Sequence, residues 1–111
     1  MLNRRIFITT IATAIVLGSN AIAQSAPVTM NDLKTTFEQR PMDFRRMAQQ
    51  GLQGEGYYKG QIDGSWGPGT EKAYEALMAS PRYRRHAPGW TWAKEVQIVE
   101  TLLFLNSDSY P

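Results

Sequence analysis

The fifteen residues from Gly56 to Thr70, GYYKGQIDGSWGPGT, constrain this chain more than any other stretch. Five of them are glycine and three are tyrosine or tryptophan, a mixture too rich in glycine and aromatic rings for an ordinary connector. Gly60, Gly64, Gly67 and Gly69 permit positive φ or close backbone approach, and Asp63-Gly64 is the strongest local turn signal in the chain. The spacing predicts two tight turns carrying Tyr57, Tyr58, Ile62 and Trp66 between two helices. Asp63 is suited to accept backbone N–H bonds across its own turn. Gly67-Pro68 predicts a helix that starts on the proline.

Residues 1–23 are read as a signal peptide. Arg4 and Arg5 supply the positive start, Ile6 to Leu17 is apolar with only threonine interruptions, and Ala21-Ile22-Ala23 gives a small-x-small cleavage pattern. The apolar run is about a dozen residues, well short of the roughly 20 that span a bilayer. Asn3 to Ile8 also resembles a twin-arginine export signal. The expected location is therefore the periplasm or the exterior, with no membrane span after signal removal. Two of the twelve Lys and Arg leave with the signal and none of the ten Asp and Glu, so the mature charge balances. That balance argues against a nucleic-acid partner. Cysteine is absent, which excludes thiol catalysis and thiolate metal sites. Residues 24–111 suffice for one domain with little margin.

Within it, residues 24–28 read as a flexible lead, 29–105 as a single helical domain and 106–111 as a polar tail. Thr29 is an N-cap with Asp32 three residues on, and Met30, Leu33 and Phe37 predict a first helix docked by one apolar edge and ended by Pro41. Phe44, Met47, Ala48 and Leu52 predict a second, with Arg45, Arg46, Gln49 and Gln50 on its other side and Gly54 and Gly56 as its stop. After Pro68 and Thr70, the residues Ala73, Tyr74, Leu77 and Met78 predict a third, while Glu71, Lys72 and Glu75 face solvent. Ser80-Pro81 closes it. The segment 82–90, RYRRHAPGW, reads as an exposed loop. Thr91 then caps a long apolar helix through Trp92, Val96, Val99, Leu102 and Leu103, widened by Ile98 and Leu105, as the central core element. The fold class expected is all-α.

From Phe44 to Met78 the chain resembles the peptidoglycan-binding domain family of small helical cell-wall modules. The resemblance rests on Gln49, Gly56-Tyr57-Tyr58-Lys59-Gly60, Asp63-Gly64, Trp66-Gly67 and Thr70, in order and at the right spacing. It implies a small three-helix core, to which this chain adds an N-terminal helix and the long C-terminal one. Gly56, Gly60, Gly64, Gly67 and Thr70 are then structural turn positions. The chain departs from the family pattern at Glu55, where an apolar residue is usual, and after the third helix, where RYRRHAPGW stands in place of a second Asp-Gly turn. The function implied is non-catalytic binding of peptidoglycan.

Other chemistry is poorly supported. His86 is the only histidine and has no neighbouring motif that would complete a catalytic zinc site. It is read as exposed. Glu55 and Asp63 flank one turn region, as a glycosidase carboxylate pair would, but turn bonding accounts for Asp63 more simply. No cofactor is expected. Tyr58, expected to face outward, Asp63 and Trp66 are the ligand-binding candidates around the turns, joined by Arg82, Tyr83 and Arg84, whose cations and ring suit stem-peptide carboxylates and glycan rings. The alternative is an envelope protein-interaction adaptor, or a homodimer, using the basic loop or surplus apolar residues of the last helix.

Overall fold

The computed structural model describes residues 27–111, so the expected signal peptide and residues 24–26 of the lead lie outside the described residues. These described residues form five α-helices and no strand, and the all-α expectation holds. No described helix is long and apolar enough to cross a membrane.

Helix α1, Met30–Gln39, opens on a reciprocal capping box. The Asp32 N–H donates to Thr29 Oγ1 at 3.1 Å and the Thr29 N–H donates to the Asp32 carboxylate at 2.9 Å, satisfying two helix-end donors at once. The Thr29 N–H, helped by the Lys94 ammonium 3.1 Å away, holds the Asp32 carboxyl below its usual range. Leu33 and Phe37 are fully buried. The lead is not wholly free, because Val28 packs against the core.

Helix α2, Met42–Gly54, buries Ala48, Gln49 and Leu52. Its inner face is thus rotated from the one that hydrophobicity alone indicates. Met47 is exposed and Gln49 is fully buried, since hydrogen-bonding partners inside offset the cost of burying the amide. At its end the Tyr57 and Tyr58 N–H groups both donate to the Leu52 carbonyl, and Gly56 turns the chain with φ +84°. Helix α3, Pro68–Ala79, begins on the proline and buries Thr70, Ala73, Tyr74 and Leu77. The Tyr74 hydroxyl donates to the Leu102 carbonyl at 2.7 Å, and burial pushes that phenol's pKa far up.

The segment 82–90 is not the exposed loop expected. Pro81–His86 forms helix α4, followed by a 3-10 turn over Ala87–Gly89. Ser80 is extended, the conformation favoured before proline, so α3 stops there. The same Ser80 caps the next helix through its Oγ, which accepts the Tyr83 N–H at 3.2 Å, while Pro81 occupies the first position. Tyr83 is buried and its hydroxyl pairs with Thr101 Oγ1 at 2.8 Å.

The last helix is shorter than expected. Helix α5 spans Lys94–Leu102 and starts after Ala93, so Thr91 does not cap it and Trp92 lies outside it. Ile98, Thr101 and Leu102 face inward, Val96 outward. A second 3-10 turn, Phe104–Asn106, then drives Phe104 into the core. The expected polar tail is docked as well. Tyr110 is buried, stacked on Phe104 with centroids 4.5 Å apart, and its hydroxyl donates to Glu100. Burial and the adjacent Glu100 push its phenol up to about 12. Helix α1 packs on α3 and α5, α2 on α3 and the Phe104 turn, and α3 on α4.

Candidate ligand-binding site

The Gly56–Thr70 stretch is built around one side chain of α2. The Gln49 amide nitrogen donates to the Ser65 carbonyl at 3.0 Å and to Thr70 Oγ1 at 3.1 Å, with Asp63 Oδ1 at 3.3 Å, and its oxygen accepts the Gly64 N–H at 2.8 Å. Asp63 Oδ1 accepts the Ser65 N–H at 2.9 Å. That bond and the Gln49 amide favour the ionised form and hold the Asp63 carboxyl below its usual range. Arg45 completes the unit by donating to the carbonyls of Gly64 and Arg40. Asp63 is therefore turned onto its own turn, in the structural role that turn chemistry indicates.

Of the glycines in this stretch, only Gly56 and Gly64 adopt positive φ. Gly60 and Gly69 serve by giving room, since a Cβ on either would press on the Tyr58 side chain, at 2.7 Å from its hydroxyl and 3.3 Å from its ring. That ring is buried and its hydroxyl donates to the Gln61 carbonyl. The expectation of an outward Tyr58 fails because the glycines around it form its socket. Trp66 is half-buried, edge-on to Phe37 at 5.4 Å and parallel to Tyr74 at 5.6 Å, with its indole N–H 3.3 Å from Glu71. It lines a shallow groove of about 470 Å³ with Lys34, Glu71, Lys72 and Glu75.

The basic candidates are dispersed. Arg82 donates to the Tyr110 carbonyl at 2.6 Å and lies 3.6 Å from Glu55, so the two departures from the family pattern meet. Arg84 is exposed. His86 is half-buried, tilted against Phe104 and Tyr110, and is not the exposed residue expected. Tyr83 and Trp66 line different grooves.

The Tyr83 groove is the larger, about 630 Å³. Trp90 and Trp92 form one wall, their rings 5.6 Å apart at 35°, and Tyr83 meets Trp90 edge-on at 5.8 Å. Trp92 is 44% exposed, and Gln97 fixes its backbone by donating to its carbonyl at 2.7 Å. Periodicity hid this site by assigning Trp92 to a core helix. The available signal was Pro88-Gly89 followed directly by two tryptophans two residues apart.

No protein-family model, curated protein or solved structure matches the chain. Among the described residues no group of three or more His, Asp or Glu is arranged to hold a metal ion.

Proposed function

We propose that this protein is a non-catalytic, exported module that binds peptidoglycan. The observation that carries the reading is the convergence on Gln49. Motif positions 49, 63, 64 and 70, apart in sequence, form one hydrogen-bonded unit together with Ser65. Such a unit gives Gln49, Asp63, Gly64 and Thr70 of the motif a reason to stand where they do. On this reading α2, the two turns and α3 belong to a three-helix peptidoglycan-binding-like core and α1 is the added N-terminal helix. The part from α4 to the tail replaces the family's second turn.

The signal-like N-terminus supports export to the periplasm or beyond. The non-catalytic reading is supported by the occupation of both suggested carboxylates, Glu55 by Arg82 and Asp63 by its own turn. An adaptor reading draws less support, because Ile98 and Leu102 of the apolar stripe are buried inside, leaving Val96 and the separate Trp92. The test is co-sedimentation with purified, insoluble peptidoglycan. Retention well above an unrelated exported protein of similar size is expected, and equal retention overturns the proposal.

A further inference from the structure

The larger groove lies outside the motif that carries the family resemblance, and its surroundings indicate what it takes. Its walls come from four places: Val28 before α1, Met78 at the end of α3, the run Tyr83 to Trp92 around α4, and Gln97 on α5. Every side chain lining it is uncharged. The groove beside Trp66, by contrast, carries Lys34, Glu71, Lys72 and Glu75. A ligand bearing free carboxylates would lose hydration in the larger groove with no cation in the lining to replace it. A neutral ligand incurs no such cost.

The aromatic geometry narrows the class further. Trp92 is among the few large apolar side chains left in water, and its position is set from behind by the Gln97 bond to its carbonyl. Trp90 is half-buried and braced by Tyr83, and the two indoles, 35° apart, form a shallow V. Flat apolar faces of this kind match the C–H face of a pyranose ring, while polar groups at the edge suit its hydroxyls and acetamido substituents. The lining supplies such polar groups in Thr91 and the amide of Gln97.

We propose that the Trp90–Trp92 groove binds the neutral glycan strand of the wall, stacking N-acetylated hexosamine rings on the two indoles. Stem peptides, with their carboxylates, do not enter it. The choice of sugar rests on the wall-binding reading; the groove's preference for a neutral, ring-shaped ligand does not.

The experiment titrates the protein with a soluble N-acetylglucosamine tetramer and follows tryptophan emission, with a soluble stem tetrapeptide in parallel. A saturable change with the tetramer and none with the peptide is expected. Trp92→Ala should weaken tetramer binding at least tenfold with an unaltered circular dichroism spectrum. Trp92→Leu, which keeps apolar bulk but removes the flat face, should do the same and serves if the alanine variant misfolds. No saturable response to the tetramer, or unchanged binding in a folded Trp92 variant, overturns the proposal, as does saturable binding of the peptide lost in that variant. Co-sedimentation of the same samples keeps the two claims apart. Retention on peptidoglycan without tetramer binding defeats the groove and leaves wall binding standing, and tetramer binding without retention does the reverse.

Discussion

Gln49 sits on a helix yet acts as backbone partner to a turn fourteen to sixteen residues away. Removing it would strand the buried Gly64 N–H and open a void, so Gln49→Ala should cost about 2–4 kcal/mol in urea unfolding. Asp63 makes the same unit pH-dependent. Its carboxyl is held below the ordinary value of 3.8 in the folded state, first by the Ser65 N–H and then by Gln49. A group lowered on folding contributes stability above its unfolded pKa and loses it as pH falls through the folded one. Stability should therefore drop below about pH 4, and Asp63→Asn should flatten that acid limb while changing little of the slope above pH 5. An unchanged acid limb in the variant would count against the turn role assigned to Asp63.

At the level of elements, α1 and α3 were legible because their caps and their apolar spacing agree. Thr29 with Asp32 and Gly67 with Pro68 mark starts that burial of Leu33, Phe37, Ala73 and Leu77 then supports. Helix α4 was not legible, because Ser80-Pro81 is at once a stop and a start, and six residues hold too little periodicity to show which. Ser80 Oγ takes part in both, donating to the Leu77 carbonyl at 2.6 Å and accepting the Tyr83 N–H. Ser80→Ala should cost about 1 kcal/mol. Its signature should be selective, with amide exchange accelerated at Tyr83 and Arg84 more than in α1. The buried polar face of α2 was hidden for another reason: apolar counting places a glutamine outside, and only the distant partners of Gln49 place it within.

For the whole molecule, sequence order misled most where the chain returns on itself. The tail looks polar over Ser107, Asp108 and Ser109, yet Tyr110 fastens it, its ring to Phe104 and its carbonyl to Arg82. The ligand candidates likewise scattered, since Tyr58 and Tyr83 were needed inside, whereas Trp92, expected in the core helix, remained outside. Val28 and Tyr110 both lie beside the Trp90 segment, Val28 across the groove and Tyr110 with its ring 5.6 Å from that of Trp90. Residues far apart in sequence thus brace one aromatic segment, and because Tyr110 is not itself part of the groove lining, trimming its ring should loosen Trp90 without removing any lining side chain.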